Sequence, residues 1–157
     1  MPQKSEMVVN SLEAGFRWRQ NQESKLWART LYFSSFSAAA GSATLDDATF
    51  PGGTLIEGAF IYIYAVFAGG AVSATTFSMG TTGSATAYVN AQDVFTAAGI
   101  FKPGVTIVPG TPMNATSPLA AGTVRFTVTT TTANTNALTT GRVDCYIRTR
   151  SVAAGLN

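Results

Sequence analysis

Two carboxylates facing one cleft can share the acid and base roles of a hydrolysis, and Glu57, Asp93 and Asp144 are the residues from which such a pair could be drawn. Glu57 is expected within a strand, on the face that also carries Leu55 and Ala59. A carboxylate there needs a cation beside it, and Arg29 or Arg125 on a neighbouring strand would serve. Carboxylates coexist by chance in β-folds, so ion pairing of Glu57 is preferred to a catalytic pair with Asp93 or Asp144. Histidine is absent, which removes the commonest general base near neutral pH and the commonest metal ligand. His-based triads and zinc chemistry are disfavoured accordingly. No catalytic residue, metal ligand or cofactor is assigned.

The remaining chemistry-bearing groups have plainer readings. Asp46-Asp47 could attract calcium, but no third or fourth acidic ligand is near and Asp is a common turn former, so a turn is expected. Cys145 alternates with Val143 and Ile147, which places it on the core side as a small hydrophobe rather than a nucleophile. As the sole cysteine it can form no disulfide within the chain. Gly80-Thr81-Thr82-Gly83 lacks the Lys and following helix of a phosphate loop, and Asn114-Ala115-Thr116 has a glycosylation spacing without a secretion signal. Arg17-Trp18-Arg19 interleaves cations with an aromatic. That pattern suits stacking on single-stranded nucleic acid, but it suits an anchor in a protein interface better.

The elements that must position these groups are strands. At 157 residues the chain is one domain, large enough to bury its own core, and a net charge of +2 is too small to draw in nucleic acid by field alone. Only 11% of residues are charged against about 25% in an average domain, so the surface is covered by Thr, Ser and Asn or by partners. Residues 54–67, TLIEGAFIYIYAVF, are apolar on both faces, which predicts a central strand covered above and below. Around it, strands are predicted over 28–36, 74–79, 85–89, 105–108, 122–130 and 143–150. Segment 37–53 reads as turn-rich, 90–99 as irregular with Val94 and Phe95 plugging the end of a sandwich, and the Thr-rich tract after 130 as a long hairpin connection. About seven to nine short strands with hardly any helix predict an all-β, antiparallel β-sandwich of jelly-roll or Greek-key type. The apolar run from Gly58 to Gly83 is rich in Gly, Ser and Thr and lacks flanking cations, so no membrane span is expected, and Glu6 and Glu13 interrupt any signal sequence.

Residues 1–28 form an arm distinct from the sandwich domain 29–157. Too little apolar surface is present there for independent folding, yet Trp18 and Trp27 are costly to leave in water. The residues predicted to contact a partner are Phe16, Arg17, Trp18, Arg19 and Trp27.

A polar arm, then GAFIYIYAVF, TTFSMGTTGSATAYV, the plug NAQDVFTAAG and a Thr-rich connection into the basic strand GRVDCYIRTR is a layout that resembles the small β-sandwich structural proteins of tailed bacteriophages, in particular capsid decoration or cement proteins. The resemblance covers about residues 30–150. It implies a non-enzymatic virion protein, assembled in a bacterial cytoplasm, that sits on the outer capsid as a homotrimer. There it would clamp neighbouring subunits of the major capsid protein, without nucleic acid or membrane as partner. A phage tail, baseplate or fibre component would use the same sandwich. A carbohydrate- or receptor-binding module would need exposed aromatics in a groove, drawn from Tyr32, Tyr62, Tyr64, Tyr88 and Tyr146.

Overall fold

A computed structural model of the chain describes residues 24–51, 54–103 and 122–151. Eight strands are described there: β1 (Ser24–Tyr32), β2 (Ser42–Phe50), β3 (Thr54–Ala68), β4 (Ala74–Thr81), β5 (Val89–Asp93), β6 (Ile100–Pro103), β7 (Gly122–Thr131) and β8 (Thr140–Ser151). They form two four-stranded sheets in the orders β1-β8-β3-β6 and β2-β7-β4-β5, and every pairing is antiparallel. Strand 1 thus pairs with 8, 2 with 7, 3 with 6 and 4 with 5. This is the connectivity of a jelly roll. The all-β sandwich expected from the sequence is the fold. Ser24 lies opposite Arg150 and Thr54 opposite Ser151, so the first and last described strands end at one corner.

The core lies between the sheets. Along β7, Val124, Phe126 and Val128 point inward at every second position, and along β8 Val143, Cys145 and Ile147 do the same. They meet Ile61, Ile63 and Phe67 of β3 and Phe77 and Met79 of β4, all fully buried. Each such side chain contributes about 1.5–3 kcal/mol by leaving water. Gly141, at φ +146°, lets β8 pass directly under the Phe67 ring.

Several local expectations are corrected. The first strand covers Ser24–Tyr32, and Phe33–Phe36 is a short 3-10 turn that swings Phe36 between the sheets, edge-on to Phe67 and Phe77 at 6.3 and 6.2 Å. Residues 42–50, read as turn-rich, are strand β2, whose inward side is carried by the small Ala43 together with Leu45 and Phe50. The strand expected over 85–89 is displaced to Val89–Asp93, although Val94 is fully buried and Phe95 packs on the core as plugs should. The Thr-rich tract does not close a hairpin, because β7 and β8 belong to different sheets and the tract crosses between them. That crossover is tied to the β1–β2 connection by buried Thr135. Its Oγ1 donates to the Ala38 carbonyl and accepts from the Ala38 amide, both at 3.1 Å, while the Thr135 amide donates to Ala40 at 2.8 Å. The strand expected over 105–108 lies outside the described residues.

The largest correction concerns β3. Its central position holds, with β8 on one side and β6 on the other. Its two faces are not equally covered. Ala59, Ile61, Ile63 and Phe67 are buried against the second sheet, whereas Phe60, Tyr62 and Val66 are only half-buried and Tyr64 is 58% exposed. The outward aromatic face is therefore a surface, with no described element packed across it.

Candidate interaction surface

The outward residues of the β1-β8-β3-β6 sheet form rows across the strands, set by the pairing register. One row joins Ala28, Tyr146 and Phe60; the next joins Thr30, Asp144 and Tyr62; a third brings Tyr32, Arg142 and Tyr64 together. Phe60 and Tyr146 stack with centroids 4.8 Å apart and planes 14° from parallel. The Arg142 guanidinium sits 4.1 Å from the Tyr64 ring centroid and 5.9 Å from that of Tyr32, within cation–π range of both. Among the described residues the exposed large hydrophobic side chains are Leu26 (60%), Tyr32 (50%) and Tyr64 (58%), and all three lie on this one face.

The same face gathers the charges. A bulge in β3 between Ile56 and Gly58 turns Glu57 to the outer side, where it meets the cations of β8. Glu57 Oε1 lies 2.5 Å from Arg150 Nη2, and Oε2 lies 3.3 Å from Arg148 Nε and accepts the Ser24 hydroxyl proton. The expectation that Glu57 would share a face with Ala59 and pair with Arg29 or Arg125 is corrected. The bulge shifts the alternation by one residue, which is invisible in a strict two-residue repeat. Asp144 accepts from Thr30 Oγ1 at 2.8 Å and from Arg142 Nη2 at 3.4 Å.

The opposite sheet looks different. Its outer side is a field of hydroxyls, with Ser42 beside Thr129 at 3.3 Å and Thr49 beside Thr123 at 3.2 Å. Asp46 is not in a turn: it lies in β2 opposite Arg125 and takes a two-pronged ion pair with both contacts at 2.7 Å. The Arg125 hydrogen bonds hold the Asp46 carboxyl below its ordinary range. Asp47, beside the β2 bulge, reaches Arg29 of β1 at 2.6 Å and pins the two sheets along one edge. Both members of the Asp46-Asp47 pair are thus taken up by arginines.

The three carboxylates considered for acid–base work are not brought together. Asp93 is on the second sheet and accepts the amides of Phe95 and Thr96 at 2.8 and 3.1 Å, while Glu57 and Asp144 are on the first. Arg148, the partner of Glu57, is four residues along β8 from Asp144, about 13 Å at strand rise. Cys145 is fully buried on the core side, where loss of solvent and the neighbouring Asp144 charge push its thiol well up from the ordinary range. Among the described residues no group of three or more acidic or Cys side chains could hold a metal ion, and no helix is long and apolar enough to cross a membrane.

Of the residues expected to contact a partner, Phe16, Arg17, Trp18 and Arg19 lie outside the described residues. Trp27 is within β1 and faces inward: its ring stacks on Phe126 at 6.1 Å and meets Phe50 edge-on at 5.9 Å. Alternation against Val143, Cys145 and Ile147 places Arg148 and Arg150 outward from the sequence alone, but sequence reasoning missed Leu26 and Arg142 as residues of the same face. The alternation of arginines in GRVDCYIRTR was the available signal. Of the five tyrosines, Tyr88 is buried, and Tyr32, Tyr62, Tyr64 and Tyr146 share the outer face.

The solved structure described as the cyanophage Pam1 capsid asymmetric unit contains a chain of similar fold, with a TM-score of 0.57 and 18% identity over 84% of this chain and 87% of that one. No protein-family model and no curated protein matches the chain.

Proposed function

We propose that this chain is a non-enzymatic structural protein of a bacteriophage virion that attaches to the outer capsid surface and stabilises it by bridging neighbouring major capsid protein subunits, as a cement or decoration protein, working as a homotrimer. The observation that carries the reading is the sandwich's asymmetry: one outer face bears all the exposed large hydrophobic side chains of the described residues and the other bears hydroxyls. A surface of that kind is suited to contact with another macromolecule. The jelly-roll order and the fold shared with a chain of a cyanophage capsid support placing that contact on a phage particle. In this reading Phe16, Arg17, Trp18 and Arg19 form a second contact through the arm, and Trp27 anchors the strand from which the arm departs.

One observation favours a second reading. Four tyrosines on one face could receive a carbohydrate or a receptor. Two features argue against it: the rings lie on an open sheet, and Tyr146 already stacks on Phe60 while Tyr32 and Tyr64 flank Arg142.

The test is attachment to purified phage particles with their own copies of the protein stripped away. The full chain is expected to rebind and to raise the temperature at which the heads open. A chain lacking residues 1–23, which leaves β1 whole, is expected to stay folded and to lose attachment. Undiminished binding by the truncated chain would remove the arm from the proposal, and failure of the full chain to bind would remove the capsid role.

A further inference from the structure

The outer face of the β1-β8-β3-β6 sheet carries an unbalanced guanidinium. Its two carboxylates are already engaged, Glu57 by Ser24, Arg148 and Arg150, and Asp144 by Thr30 and Arg142, so three arginines stand against two acids. Arg148 is 63% exposed and Arg150 42% exposed, so both guanidinium groups are open to a partner. Around these cations lie the exposed side chains of Leu26, Tyr32 and Tyr64.

We infer that this face docks a protein surface that presents carboxylates among apolar side chains. The inference rests on the particle-binding reading and adds to it which side of the sandwich makes the contact and what chemistry it meets. The size comes close. Strands of 9, 12, 15 and 4 residues, about 4.8 Å apart and rising about 3.3 Å per residue, cover roughly 630 Å². A stable protein interface takes about 800 Å² from each partner.

Charge decides against the two other occupants. A second copy laid face to face would set three arginines against three arginines, with every carboxylate already engaged inside its own copy. Nucleic acid would require neutralising a run of phosphates, and a face with one excess cation offers little of the counterion release on which such binding depends. Its bases would also need free ring faces, whereas Phe60 and Tyr146 cover each other and Tyr32 and Tyr64 are turned to Arg142. A partner carboxylate can instead accept from Arg148 and Arg150 while its apolar neighbours cover Leu26 and the tyrosine edges.

The test uses the full chain and a fluorescent random copolymer of Glu and Tyr as the acidic, aromatic probe. Three variants are compared: Arg148→Ala, the double substitution Leu26→Ser with Tyr64→Ser, and Thr44→Lys on the hydroxyl face. Leu26 and Tyr64 are mostly exposed, so that variant should keep its fold. The first two are expected to weaken copolymer binding about 10-fold or more, and the third to leave it unchanged. Tighter binding to a 30-nucleotide poly-dT than to the copolymer would overturn the inference, as would loss of binding in Thr44→Lys alone. Self-association in sedimentation velocity that the face variants abolish would overturn it in favour of a second copy. Particle attachment separates the two claims. If the wild type attaches and the face variants attach equally well, the inference fails and the capsid role stands. If the copolymer binds by this face but particles are not bound at all, the capsid role fails and the inference stands.

Discussion

Tyr64 lies under the Arg142 guanidinium at 4.1 Å, joining the central strand β3 to the final strand β8 across a face open to water. Cation–π pairs at exposed sites contribute about 0.5–1 kcal/mol. A double-mutant cycle with Tyr64→Ala and Arg142→Ala, read by urea unfolding, should return a coupling of about that size. Zero coupling would make the contact incidental to stability, leaving both side chains available to a partner.

Glycines at two positions should respond in opposite ways. A Cβ at Gly141 would come within 2.6 Å of the Phe67 ring on a backbone at φ +146°, which L side chains rarely adopt. Gly141→Ala should therefore cost about 3 kcal/mol or more, seen as loss of soluble protein or a sharply lowered melting temperature. A Cβ at Gly58 meets nothing within 4 Å, and Gly58→Ala is expected to be neutral or to stabilise by about 0.4–1 kcal/mol through the unfolded chain.

Thr135→Val keeps the shape of a fully buried side chain and removes its hydroxyl. The Ala38 amide would then lose its acceptor inside the staple between the two inter-sheet connections. An unsatisfied buried polar group costs about 1–3 kcal/mol. Thr135→Ser should recover most of that loss, and chemical denaturation of the pair checks it.

The Asp46–Arg125 pair gives stability a pH dependence of known sign. Because the folded Asp46 carboxyl titrates below its ordinary 3.8, its contribution is complete above that value and is lost as pH falls through the lower folded value. Asp46→Asn should be less stable than wild type near neutrality, and the difference should shrink in the acid range below 3.8. Urea midpoints measured at stepped pH would test this. A gap that persists in strong acid would assign the effect to packing instead.

Where residues alternate cleanly, the strands were legible in the sequence. Val124, Phe126 and Val128, or Val143, Cys145 and Ile147, could be assigned inward because polar or longer residues separate them. β2 escaped notice because Ala43 and Thr44 differ little in hydropathy, so SATLDDATF shows almost no contrast between its two sides. Strict alternation puts Glu57 on the wrong side because a bulge adds a residue without leaving a mark in composition. The aromatic side of β3 reads as core because the rings of Phe60, Tyr62 and Tyr64 suit a packed pleated surface as well as Ile61 and Ile63 do. What a greasy row faces is decided by which sheet lies opposite, a long-range fact. Alternation alone puts the arginines of the last strand on one side, but that this side also carries Tyr62 and Tyr64 follows only once β3 is known to lie beside β8.

With Ser24 opposite Arg150, the polypeptide enters and leaves the described sandwich at a single corner, the two backbones about 5 Å apart. Any cargo, label or displayed peptide fused ahead of Ser24 or behind Ser151 would be tethered beside Arg148 and Arg150 and would compete for that ground. The turn at Gly83, beyond β4 on the second sheet, where an added Cβ meets nothing within 4 Å, is the better place for an insertion that must leave the aromatic side unobstructed.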